Sequence, residues 1–477
     1  WNYGISGKKS HGAGHKMGSD SWHEVRSPLF GKQASELPSP EDKSNLEEIE
    51  SCFWETLLRI RGLIEKEEDM CESLSNRIQS SSERLNGYCR EPRATAPNVE
   101  GVIQACDPDS TPPDLLLEIG STFPLRKQLG EVLGYLNRES NGAILFGAAD
   151  LSDSTAVSGA NQGFAENFWH YKSNPLSRSL SMGGICEDGL SCIIVGISGF
   201  GRHIGVGASY GAFLSPLGHI AARVHAISQQ MKQELDPAPY STVILQCGHA
   251  GMKTGEDGPT HADPQAYQLH AENYAPGSAI TLTPWEPQEI WPLVAAGLKA
   301  RPAVLVPFVT RPNEPILDRV SLGLAPASGA VAGLYCLSEP SSVDLDGVVV
   351  LQGSGVTLVF VNDVLPKLKQ KGINLRVMYV SSPELFDRLP ESEKQSIYSE
   401  KMAQNAMGIT GFTLPTMYRW IQSDLGRKHT MHPFQKGHYL GSGPGDDVIR
   451  EAGLDGPGQY EGINKYIEAI KNQGNLE

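Results

Sequence analysis

Two short strings concentrate groups that do chemistry. CGHAG at 247–251 and GEDGPTH at 255–261 bring two histidines, His249 and His261, close in sequence to two carboxylates, Glu256 and Asp257. They follow TVILQC, an apolar run that reads as a strand. Loops leaving the C-terminal ends of parallel strands form the ligand crevice of open α/β sheets. A histidine titrating near neutrality can donate or accept a proton there. By composition alone the same string also reads as a Gly/Pro turn with solvated acids, and both readings stand at this point.

A third string, CEDGLSCIIVGISGFG at 186–201, sets Glu187 just before an apolar helical run. A carboxyl buried at such a helix start keeps its proton, because desolvation disfavours the charged form. As a surface acid it would simply complement the helix dipole. PFVTRPNE at 307–314 ends an apolar strand on Arg311, and FPLRKQL places Arg126 at the head of a helix. Planar guanidinium forks suit phosphate. Arg126 reads equally as a solvated helix arginine.

These groups need elements to carry them. From about residue 121, strand-like runs (AILFGAADL, SCIIVGISGFG, YSTVILQC, SAITLTP, PAVLVPFV) alternate with helical patterns over 125–136, 217–232 and 286–298. A second cycle begins near residue 347 with GVVVLQGSG, a helical stretch and INLRVMYVSS. Strand–helix alternation predicts α/β architecture, two doubly wound, mostly parallel sheets with both faces covered. Before them, Ser44 and Glu47 form a capping box. Leu46, Ile49, Phe53, Leu57, Ile60 and Ile64 then make an amphipathic stripe that fades near Leu85. Residues 86–120, rich in proline, read as a linker.

The composition bounds the function. A length of 477 residues suggests about three domains at roughly 150 residues each. The formal net charge is −15, which argues against a nucleic-acid surface but not against a small anion held by one or two arginines. No apolar run approaches the ~18 residues of a membrane span. Eight cysteines without a CxxC pair or zinc spacing read as reduced thiols of a cytoplasmic protein. The chain begins at Trp1, so it is expected to be processed, trimmed or part of something longer.

GEDGPTH after a strand and a histidine turn resembles the pyrimidine-domain signature of transketolases. DLSDS at 150–154, the Glu187 string, PFVTRPNE and GSGV at 353–356 resemble further segments of that family in the same order. The resemblance covers roughly residues 121–477. It implies a pyrimidine-binding domain over 121–320 and a transketolase C-terminal domain over 340–477. Residues 1–120 would hold the residual end of a diphosphate domain, a helix and a linker. It also implies thiamine diphosphate. Glu187 would hydrogen-bond the aminopyrimidine and help the cofactor shed its thiazolium proton, with Asp188 as rival if the register slips by one. Tyr210 and Phe213 would pack on the pyrimidine; on their own they read as core aromatics. His261 and His249 would act at the reacting end of the donor. Arg126, Arg311 and Ser154 would hold a sugar phosphate, and Asp257 would read a hydroxyl. SHGA at 10–13 resembles a family active-site loop, which makes His11 a catalytic candidate and His15 its rival.

The family's GDG motif, whose Asp and a later Asn ligate Mg²⁺, does not occur in these 477 residues. EDG at 187–189, EDG at 256–258 and GDD at 445–447 are the nearest strings, and none fits the context. The diphosphate and Mg²⁺ are therefore expected on a partner chain, with this chain supplying the pyrimidine half and pairing with a second copy. The expected activity is two-carbon ketol transfer between sugar phosphates. Three alternatives stand beside it: an inactive regulatory or scaffolding subunit, a different thiamine enzyme, or a structural partner that docks another protein through the 46–64 helix.

Overall fold

The computed structural model describes residues 15–16, 19–31, 37–89, 91, 93–235, 237–253, 258–261 and 263–474. The chain divides into two compact units, residues 1–94 and 95–477.

The first unit is helical: α1 (Asp20–Phe30), α2 (Leu46–Lys66) and α3 (Glu68–Gly87). The cap of α2 is Asn45, whose side chain accepts the Glu48 N–H. This corrects the Ser44 capping box, since the Ser44 hydroxyl donates instead to Asp42. Glu67 (φ −89°, ψ 59°) interrupts the helix between α2 and α3. Trp22, Arg26, Pro38, Pro40, Ile49 and Phe53 line an apolar groove of about 290 Å³, with the Arg26 guanidinium over the Trp22 ring at 3.8 Å.

The second unit holds two sheets. Its helix α4 (Val99–Ala105) falls within the stretch expected to be linker. The helix is short, and it buries Val102 beside Cys106 and Leu115. Strand β1 (Thr122–Pro124) leads into helix α5 (Leu125–Glu139). Strands β2 (Ile144–Ala148), β3 (Ile204–Ser209), β4 (Val243–Cys247), β5 (Ala279–Leu282) and β6 (Val304–Pro307) form a parallel sheet of order β2-β3-β4-β6-β5. Helix α6 (Glu187–Phe200) covers β3. Strand β7 (Asn313–Pro315) pairs antiparallel with β1. Strands β8 (Leu334–Ser338), β9 (Gly347–Gln352), β10 (Leu375–Val380) and β11 (Ala406–Thr410) make the second sheet, of order β11-β9-β10-β8. Only β8 runs antiparallel to its neighbour there. The runs VILQC, AITL and VLVP are buried along their whole length, as strands sandwiched between helices must be.

Glycine sets how close α6 comes to the sheet. A Cβ on Gly205 would lie 2.3 Å from the Ile194 carbonyl oxygen, and one on Gly207 2.4 Å from Ile194 Cδ1. The spacing GVG in β3 thus lets α6 settle onto the strand, and with it the helix start that carries Glu187.

A buried polar cluster ties the two sheets. Arg319 donates to Glu286 and, at 2.8 Å, to Glu289. The Tyr335 hydroxyl of β8 donates to Glu289 and accepts the Trp285 indole N–H at 3.0 Å. One guanidinium faces two buried carboxyls, and burial pushes the Glu286 carboxyl up while Arg319 pulls it back down. Among the described residues no helix is long and apolar enough to cross a membrane. Removing one partner from a buried ion pair strands the other charge. Arg319→Met should therefore cost about 3–5 kcal/mol in denaturant unfolding, whereas Glu286→Gln, which stays close to a protonated carboxyl in shape, should cost under half of that; equal losses would contradict the charge argument.

Candidate active site

The exits of three neighbouring strands, β3, β4 and β6, are stitched together by main-chain hydrogen bonds. Beyond the paired ends of β3 and β4, Gly248 N–H donates to Ser209 O at 2.9 Å. Val309 N–H reaches Cys247 O, and Ala250 N–H reaches Val309 O, both at 3.0 Å. Arg126 N–H donates to Thr310 O at 3.2 Å. The loop leaving β2 docks on β4, where the Gln246 side chain donates to the buried Thr155 carbonyl at 2.6 Å. Gly248 lies against Thr155, so that a Cβ there would come within 2.9 Å of it. The His249 turn, the Arg311 turn, the head of α5 and the 150–156 loop are thus brought to one edge.

His249 is fully buried and stacks on Tyr210, ring centroids 3.8 Å apart and planes 9° from parallel. Burial, with Arg311, Arg126 and His261 adding positive charge nearby, brings its pKa down to about 3. It is therefore a neutral imidazole at physiological pH. Phe213 lies 6.5 Å from Tyr210 and meets the His261 ring edge-on at 5.3 Å. It is 37% exposed, so one side of this aromatic shelf is open. Gly211 permits the shelf, since a Cβ there would meet the Asp263 N and His249 O atoms at 3.0 and 3.1 Å. The His261 carbonyl accepts the Ala212 N–H at 3.0 Å, and its Nδ1 pairs with the Thr260 hydroxyl at 2.8 Å.

Glu187 is the first residue of α6, half-buried, with Oε1 3.4 Å from the donating Ser209 hydroxyl at the end of β3. Asp188 is exposed. The Cys186 thiol sulfur caps the helix by accepting the Gly189 N–H at 3.3 Å.

The Arg126 guanidinium donates to the Ser154 carbonyl. The Ser154 hydroxyl is turned to the Leu151 carbonyl at 3.2 Å. Sequence reasoning expected that hydroxyl to face a ligand; the backbone carbonyl of the residue is what meets the site. Lys253, on the loop after His249, pairs at 2.9 Å with Glu314, three residues past Arg311. Burial raises the Glu314 carboxyl pKa and Lys253 lowers it. His11, Glu256 and Asp257 lie outside the described residues.

An open cleft of about 570 Å³ runs beside this edge, lined by Asp150, Ser152, Asp153, Ser154, Phe168 and Met182 among others. Sequence reasoning passed over Asp150 and Asp153 although both lie in the DLSDS string. Asp150 adopts a left-handed conformation (φ 62°), as asparagine and aspartate tolerate. Among the described residues no group of three or more His, Cys, Asp or Glu side chains is arranged to hold a metal ion.

No family model matches the chain. It is 25% identical over 313 residues to a transketolase of Aquifex aeolicus, a match covering 64% of this chain and 40% of that protein. It is 34% identical over 196 residues to a transketolase of Streptococcus pyogenes, covering 38% and 25% respectively. The chain thus matches less than half the length of these relatives. Its fold is similar to that of transketolase from Leishmania mexicana, with a TM-score of 0.60 at 16% identity, over 94% of this chain and 58% of that one. In sequence, over part of their length, and in fold the chain is similar to transketolases.

Proposed function

We propose that this chain is the pyrimidine half of a thiamine diphosphate enzyme that transfers a two-carbon ketol unit between sugar phosphates. A partner chain would supply the diphosphate and Mg²⁺ half. The observation that carries the reading is the convergence of Glu187, His249, His261, Arg126 and Arg311 at one edge of the parallel sheet, beside an aromatic shelf and an open cleft.

The residues present fit one end of the cofactor. Glu187 and the Tyr210–Phe213 shelf would hold the aminopyrimidine, the carboxyl by a hydrogen bond to a ring nitrogen and the rings by stacking. When bound, the coenzyme supplies a carbon centre able to carry the acyl carbanion equivalent that C–C cleavage next to a carbonyl requires.

The chain's own residues would then act on the sugar. Arg311 and Arg126 would bind its phosphate by charge-assisted hydrogen bonds. His249, neutral between them, would add a hydrogen bond without adding repulsion to the arginines. His261, steadied by Thr260, would move a proton to or from the reacting oxygen. Asp257 would read a hydroxyl, and His11 would approach from the other side.

Pairing with a second copy is supported by an exposed apolar face on α6, where Ile193 and Phe200 flank Gly196 and Gly199. A Cβ on either glycine would meet nothing, which leaves room for a helix to come close. All eight cysteines are unpaired, which supports a reducing, cytoplasmic setting.

Four outcomes are expected. With its partner and Mg²⁺, the chain should cleave xylulose 5-phosphate and pass the fragment to ribose 5-phosphate; no cleavage in any pairing would remove the reading. Glu187→Gln should lower turnover by about 10²–10⁴ with unchanged unfolding, while Arg311→Gln should raise KM for phosphorylated donors by about 10–100-fold and leave unphosphorylated ketoses unaffected. The last concerns pH. The folded chain holds the His249 pKa near 3 against an ordinary value of 6.5, so the unfolded chain binds the extra proton. The stability from this group is complete above 6.5 and is lost as pH falls toward 3. Urea midpoints at about pH 5 and about pH 8 should differ less in His249→Gln than in the parent.

A further inference from the structure

The parallel sheet has a second edge, opposite the histidine turns. There the chain enters β3, β4 and β6, and a cavity of about 350 Å³ lies between these entries and helix α4. Its walls come from residues 201–203 before β3, residues 238–242 before β4 and Arg301 before β6, with Pro97, Glu100 and Ile103 completing it. Strand β3 is six residues long, so at ~3.3 Å per residue the cavity lies a full strand length away from the edge that carries Glu187 and His249.

The charged groups on the lining are cationic in balance. Arg202 is exposed and has no acid partner among the described residues. Arg301 donates to Glu100, the one carboxylate among the described lining residues. His203 is half-buried with no hydrogen bond among the described residues. Burial and the Arg178 charge lower its pKa, so it is a neutral ring able to donate to an anion. Arg301 has φ 48°, a left-handed backbone that residues other than glycine seldom adopt. Backbone strain of this kind gathers at ligand sites.

The walls are fixed before any ligand arrives. Ser241 N–H donates to the Gln229 side chain at 3.0 Å, and the Ser241 carbonyl accepts the His225 Nε2 proton at 2.6 Å. The Thr242 hydroxyl donates to the Pro302 carbonyl at 2.7 Å. These bonds leave the Tyr240 and Ser241 hydroxyls without a partner among the described residues. Pro97, Pro239 and the Tyr240 ring add flat apolar surface.

Two guanidinium groups suit a phosphate. A bare phosphate would fill little of the space and would face Glu100 with no donor to offer it. A ligand that joins a phosphate to hydroxyl groups and a flat ring uses the arginines, the carboxylate and the apolar walls together. The volume sits at the low end of the roughly 300–1,000 Å³ of small-molecule pockets. We propose that this cavity binds a nucleoside monophosphate, with its phosphate on Arg202 and Arg301, a sugar hydroxyl on Glu100 and its base against Tyr240 and the prolines. The inference does not rest on the ketol-transfer reading, and its arginines are not those of the other edge.

The experiment titrates the full chain calorimetrically with AMP and UMP. At least one of them should bind at one site per chain, with adenosine, uridine and inorganic phosphate each at least about tenfold weaker. Arg202→Gln should weaken the nucleotide at least about tenfold, while Arg311→Gln should leave this site unchanged; Arg202 is exposed, and an unaltered unfolding midpoint checks that its variant keeps the fold. Modification of Arg202 by phenylglyoxal, followed by peptide mass spectrometry, should slow when the nucleotide is present. Binding of neither nucleotide, inorganic phosphate binding as tightly as the nucleotides, or an affinity that falls with Arg311→Gln and not with Arg202→Gln would each overturn the proposal.

Discussion

The backbone ladder of the five-stranded sheet does not stop where its strands stop. Ser209 and Gly248, Cys247 and Val309, then Thr310 and Arg126 carry the pairing one step outward at each neighbour. A parallel sheet sends all its strands out through one edge. These extra bonds turn that general property into a fixed arrangement of loops. Their side chains need no individual strain to meet, because the main chain has already brought them together. Any change that breaks the ladder at Gly248 or Thr310 would move the histidine and arginine turns together.

The electrostatics at this edge run against the molecule as a whole. The chain carries a formal charge of −15, yet two arginines sit close enough to His249 to help hold it neutral. The Lys253–Glu314 pair works differently. It neutralises itself, and it ties the loop after His249 to the segment after Arg311. Lysine and glutamate thus fix the loops that carry His249 and Arg311.

Much of this was legible in the residues. The alternation of apolar runs and helical patterns predicted both sheets, because parallel strands buried on both faces read as continuous apolar segments; but SCIIVGISGFG, read as one of those strands, is most of helix α6, and the strand is the Gly-rich β3 that follows it. Glu187 was placeable at a helix start from CEDG before an apolar run, and Arg311 at a strand end. Other features were not legible. Helix α4 spans two turns, too short for periodicity to show, and it is held by tertiary burial of Val102. The cap of α2 turned on which of two adjacent polar residues, Ser44 or Asn45, faces the helix, and the neighbouring Asp42 decided it by taking the serine hydroxyl. The outward turn of the Ser154 carbonyl depends on Arg126, which is distant in sequence.

The acid proposed to act on the cofactor is the least finished part of the edge. His249 is buried against Tyr210. Glu187 is half-buried, and its described hydrogen bond is a long one from Ser209. An acid that must keep its proton in the proposed reaction needs a dry surrounding, and the open cleft beside it does not provide one. A surface brought by another polypeptide would complete that surrounding. In the proposed enzyme this would couple activation of the cofactor to assembly. The isolated chain would have the substrate-binding cations in place and lack the enclosure that makes its acid competent.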